Sequence, residues 1–111
     1  MELRAREQNG ILVVRVQQDR IDAASAIQFK DRMREVTQDS PACVVLDLSQ
    51  VAFLDSSGLG AVVAVRKALG PDRALELSGL TPSVQKVFRL TRMDTIFRIH
   101  PSLPDGLRDA G

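Results

Sequence analysis

The chain opens on alternation: Leu3 and Ala5 interleave with Glu2, Arg4 and Arg6, the pattern of a half-exposed edge strand. Asn9-Gly10, the dipeptide with the strongest hairpin signal, then leads into Ile11-Leu12-Val13-Val14-Arg15-Val16, a β-branched run that reads as an interior strand. From Asp22 to about Thr37 the period turns helical. Ala26, Phe29, Met33 and Val36 form the apolar stripe, and Lys30, Arg32, Arg34 and Glu35 the wet face. Ser40-Pro41 breaks that helix. Cys43-Val44-Val45-Leu46-Asp47-Leu48 follows, a continuous run suited to a strand covered on both faces. A second helix is predicted over 57–69, closed by Gly70 with Pro71 beyond it. Ala74 to Leu77 reads as a short strand. Thr81-Pro82 opens a third helix with Val84, Val87 and Phe88 inward, and Ile96 to Ile99 reads as a last strand. The tail from Pro101 is a short helix or a loose end. Strands alternating with helices predict an α/β fold with a mixed, mostly parallel sheet, opened by a β-hairpin and packed with about four helices.

Length keeps this to one domain, residues 1–111, since 111 residues are too few for two independent cores. With 44% hydrophobic and 26% charged residues the composition is ordinary globular material. The net charge of +1 lacks the electrostatic footprint of a nucleic-acid binder. One Cys excludes an internal disulfide and Cys-rich zinc sites, and a single His leaves metal catalysis almost nothing to build on. The charged start, Met1 to Glu7, is unlike a signal peptide, and no run approaches the roughly 18 apolar residues of a membrane span. A cytoplasmic protein without cofactor, bound neither to membrane nor to nucleic acid, is the expectation.

One stretch is distinctive: Phe53-Leu54-Asp55-Ser56-Ser57-Gly58-Leu59-Gly60 leads from a strand into a helix mouth. A helix N-terminus carries unpaired N–H groups and partial positive charge, so Ser56 or Ser57 can cap it, and a phosphate is welcome there. Gly58 and Gly60 strip side chains from the first turn, a cost to the helix that suits a place where another backbone, a ligand or a protein partner must come close. Local physics alone does not separate a plain helix cap from a binding mouth. Enzyme motifs fare worse. A nucleophile elbow needs Gly two residues before the serine, where Leu54 or Asp55 stands. A dinucleotide fingerprint needs a third Gly where Val63 stands, and no Walker Gly-Lys-Ser/Thr occurs. A hydrolase built on Ser57 would also need a base, and His100 is the one imidazole.

At these residues the sequence resembles the anti-sigma factor antagonists built on the STAS domain. The strand Val44 to Leu48, the gapless signature Phe53 to Gly60, Ile21-Asp22 before the first helix, and Ser78 to Phe88 leading into the third all match. The resemblance implies a non-enzymatic binding module. In the family the second serine of the signature, here Ser57, is phosphorylated by a partner that is both serine kinase and anti-sigma factor, and a phosphatase reverses it. The unphosphorylated form binds the kinase and frees the sigma factor. Asp22, Asp55, Ser56, Gly58, Leu59 and Gly60 become partner-binding candidates. Asp19 departs from the pattern, standing where the family has Gly; because Asp tolerates left-handed backbone, the turn is expected to survive.

Other residues carry less. Asp22 on local grounds is an N-cap, and Asp55 is either a structural acid or a partner contact. Cys43 reads as an inert small hydrophobe, Met33 and Met93 as core, and Arg89 to Arg98 as a solvated face. The rival functional reading is a structural STAS subunit of a transporter or lipid-trafficking assembly, without a phosphate cycle. The intact Ser-Ser-Gly-Leu-Gly argues against it.

Overall fold

The computed structural model describes residues 1–103 and 107. Its order is β1 (Leu3–Gln8), β2 (Ile11–Val16), β3 (Arg20–Ile21), α1 (Ala26–Val36), β4 (Cys43–Asp47), β5 (Phe53–Leu54), α2 (Ser56–Leu69), β6 (Ala74–Ser78), α3 (Pro82–Leu90), a 3₁₀ turn (Met93–Thr95) and β7 (Ile99–His100). A five-stranded sheet runs β1-β2-β4-β6-β7; β1 and β2 are antiparallel and every other pair is parallel. The hairpin closes where expected, with Asn9 at φ 55° and Gly10 at φ 75°, the left-handed pair that a two-residue turn needs to follow the strand twist.

Helices cover one face of the sheet. Leu12, Val14, Val16, Val44, Leu46, Leu75 and Leu77 project there and meet Phe29 and Met33 of α1, Val62 and Val65 of α2, and Val84 and Phe88 of α3. The alternate residues Val13 and Val45 face the other way and are buried under Leu103 and Leu107, with Ile11 and Cys43 alongside. Hence β2 and β4 are apolar on both faces although helices lie on one. Burial, and then the neighbouring Glu76 carboxylate, push the Cys43 thiol above its ordinary range, in keeping with an inert position.

Several expectations need correction. Three α-helices and one 3₁₀ turn are present among the described residues, against about four helices expected; the tail assigned to a fourth falls largely on residues 104–106 and 108–111, outside the described residues. The first helix begins at Ala26, not Asp22. Residues 22–25 form a turn in which Ser25 and Ala26 N–H groups both donate to the Asp22 carbonyl. The last strand is Ile99–His100 and not 96–99, because Ile96 closes the 3₁₀ turn and Phe97 turns inward against Phe88, 5.8 Å between ring centroids at 83°. Asp19 is not left-handed; the turn holds because its carbonyl accepts from Ala52 N at 2.8 Å and Phe53 N at 3.0 Å.

Candidate functional site

Two short segments interlock at the mouth of α2. The β3 strand pairs in parallel with β5, Arg20 opposite Phe53 and Ile21 opposite Leu54. Each strand runs straight into an aspartate, so Arg20-Ile21-Asp22 and Phe53-Leu54-Asp55 repeat one pattern side by side. Ile21 and Leu54 are buried, and this anchors both aspartates at the surface.

Asp55, rather than Ser56 or Ser57, caps α2. Its Oδ1 accepts from Gly58 N at 2.9 Å, and its backbone is extended, as an N-cap requires. Its Oδ2 accepts from Ala23 N at 3.2 Å, so one carboxylate ties the Asp22 turn to the helix. Asp22 caps no helix directly: its Oδ1 accepts from Ala24 N at 3.1 Å and from the Ser25 hydroxyl at 3.3 Å. Its Oδ2 accepts from Arg20 Nε at 3.2 Å. The Arg20 hydrogen bond is the largest influence holding the Asp22 carboxyl below its ordinary value of 3.8, aided by Ser25 and Ala24 and opposed by partial desolvation.

With Asp55 as the cap, both serines are left exposed at the first two helical positions. Gly60 is also exposed, and a methyl there would meet nothing within 4 Å. Leu59 is half-buried and packs against the main core. Gly58 departs from the expectation of a bare contact surface. It is buried, and a Cβ would lie 2.1 Å from the Ile21 carbonyl oxygen, so its missing side chain serves the packing of α2 on β3.

Phe53, known from the sequence only as the first residue of the signature, and Arg20, which the sequence did not single out, flank this mouth together. The Arg20 guanidinium lies 4.5 Å from the Phe53 ring centroid, and Phe53 remains 42% exposed. The repeated residue-apolar-Asp pattern was the signal that could have paired them. His100, considered as a base for a serine nucleophile, bonds Glu76 instead, Nε2 to Oε1 at 2.7 Å. Among the described residues no group of three or more His, Cys, Asp or Glu could hold a metal.

A one-sided helical layer on a mixed sheet, with an exposed serine pair at an Asp-capped helix mouth, defines a small α/β domain whose helix mouth presents hydroxyls and carboxylates beside the Arg20 guanidinium. The STAS domain family matches residues 2–106, and the chain belongs to that family. It is similar to the anti-sigma-F factor antagonist RsfB of Mycobacterium tuberculosis, 29% identical over 101 residues, covering 91% of this chain and 82% of the relative. The crystal structure of an anti-sigma factor antagonist from Mycobacterium paratuberculosis superposes with a TM-score of 0.84 at 31% identity, over 96% of this chain and 90% of that one. The fold is also that of the anti-sigma factor antagonist SpoIIAA in its unphosphorylated form, TM-score 0.70 at 19% identity, over 88% and 87% of the two chains. Among the described residues no helix is long and apolar enough to cross a membrane.

Proposed function

We propose that this protein is an anti-sigma factor antagonist controlled by phosphorylation of Ser57. The unphosphorylated form binds an anti-sigma serine kinase in the cytoplasm and releases the sigma factor; a serine phosphatase restores it after phosphorylation. The chain is then a ligand and a substrate, not an enzyme, and residues 1–111 act as one STAS unit. The observation that carries this reading is the exposed Ser57 beside an Asp-capped helix mouth, in a chain similar to relatives named as antagonists. Asp22, Asp55, Ser56, Leu59 and Gly60 surround it as the contact surface; Gly58 shapes that surface from beneath.

The switch is electrostatic. A phosphate adds about −1.5 to −2 charge at pH 7. The helix N-terminus tolerates that charge, so the fold survives, whereas Asp22 and Asp55 add like charge and a partner pressed against the mouth is repelled. A hundredfold loss of affinity, about 2.7 kcal/mol, suffices to empty the complex. Ser57→Ala and Ser57→Asp decide the matter in calorimetric titrations against the kinase, with thermal melts alongside. Ala is expected to bind and to stay bound in the presence of ATP. Asp is expected to fold at least as well, gaining about 0.3–1 kcal/mol from the helix dipole, and to bind more weakly. Equal affinity of two folded variants would refute control by charge at residue 57, as would phosphate mapped by mass spectrometry to Ser56 alone.

A further inference from the structure

We propose that a cleft at the C-terminal end of α2, remote from Ser57, binds a small molecule bearing two or more phosphoryl groups. Four cations from three separate segments line it: Arg66 and Lys67 in the last turn of α2, Arg73 before β6, and Arg98 before β7. The cleft is half open to solvent, with a volume of about 540 Å³, within the usual range for small-molecule sites. Among the described residues its one carboxylate is Glu76, which bonds His100 at 2.7 Å.

The cations lack the partners that surface arginines commonly find. Among the described residues Arg66, Lys67 and Arg98 form no ion pair. Arg73 spends its guanidinium on neutral acceptors: Nε on the Leu69 carbonyl, Nη1 on the Thr37 carbonyl at 2.7 Å and on Ser40 Oγ at 3.1 Å. Arg66 and Lys67 have an ordinary role in offsetting the negative end of α2. Arg98 belongs to no helix end, and that role does not account for it. Arg66 is also pre-positioned, its guanidinium 5.9 Å from the centroid of Phe97, whose ring is fixed edge-on against Phe88. Unpaired guanidinium and ammonium groups around a concavity focus positive potential, and guanidinium forks match phosphate oxygens. A chain of net charge +1 has gathered a local excess of positive charge in one cleft. Concavity and volume favour a small ligand over an extended acidic segment.

Lys67 lies ten residues beyond Ser57 along α2, about 15 Å at 1.5 Å per residue, so the two sites are read separately. Inorganic pyrophosphate is the probe, titrated into the intact, unphosphorylated chain and followed by amide NMR with no kinase present. Saturable shifts are expected around residues 66–76 and 96–99, weakening as salt rises. Lys67→Glu and Arg98→Glu should each weaken binding at least about fivefold, while Lys86→Glu, the same charge change at an exposed position of α3, leaves it nearly intact. Orthophosphate should bind more weakly than pyrophosphate. The proposal is overturned by the absence of saturable shifts, by shifts centred on residues 56–60, or by equal losses in all three variants. Binding to vesicles with a phosphorylated headgroup but not to free pyrophosphate overturns it too.

Discussion

A methyl group added at residue 58 would overlap backbone, not a movable side chain: the Ile21 carbonyl oxygen and carbon lie 2.1 and 2.9 Å from its position. Gly58→Ala should therefore destabilise the fold, with about 1–3 kcal/mol of overpacking exceeding the roughly 1 kcal/mol of helix propensity gained. Gly60→Ala meets open space and should raise stability by up to about 1 kcal/mol while trimming partner affinity. Thermal melts of the pair should move in opposite directions; a Gly58→Ala variant as stable as wild type would deny the close contact. Asp22 supplies a second test at this scale. Its carboxyl is held below 3.8 chiefly by Arg20, so its ionised form is favoured by folding. A depressed carboxylate stabilises above its ordinary range and loses that contribution as pH falls through the lowered value. Arg20→Gln should return the Asp22 midpoint upward towards 3.8 in a carboxyl NMR titration. An unmoved midpoint would assign the depression to Ser25 and Ala24 instead.

The element that carries the site, α2, depends on a single side chain at its start. Asp55 accepts from Gly58 N and from Ala23 N, so Asp55→Ala removes both a cap and the tie to the Asp22 turn. A cost of about 0.5–2 kcal/mol in chemical denaturation is expected, with Asp55→Asn recovering much of it. If Ala and Asn variants are equally stable, the cap contributes little. This double use also shows what the sequence could and could not reveal. The long elements were legible because periodicity needs length: α1 and α2 have apolar stripes, and β2 and β4 run apolar because both faces are covered. By contrast β3 and β5 are two residues each, too short for any period, and they exist because each pairs with the other. The serine pair stood out at a helix mouth, but the cap went to Asp55, since a carboxylate one residue earlier reaches the Gly58 N–H and leaves both hydroxyls free. Thr81 was a cap by sequence and is one by position, yet its hydroxyl donates to the Val51 carbonyl at 2.7 Å. Tertiary contact outbid local chemistry there.

At the scale of the molecule, the sheet has two unequal faces. Among the described residues, α1, α2 and α3 cover one, while Val13 and Val45 on the other are covered by Leu103 and Leu107. Leu107→Ala should cost about 2 kcal/mol, read as a lower urea midpoint at an unchanged slope. A loss within a few tenths would mean that this face needs no cover. Sheet order has a further consequence, for the growing chain. β1 and β2 are neighbours in sequence and can pair as soon as both are made, but the inner edge of β2 awaits β4, whose last residue, Asp47, lies 31 positions after Val16. At 5–20 residues per second of synthesis, that edge stands open for roughly 2 to 6 seconds on the ribosome, apolar on both sides. For that interval β2 is the segment of the nascent protein most open to pairing with a neighbouring chain, or to capture by a chaperone.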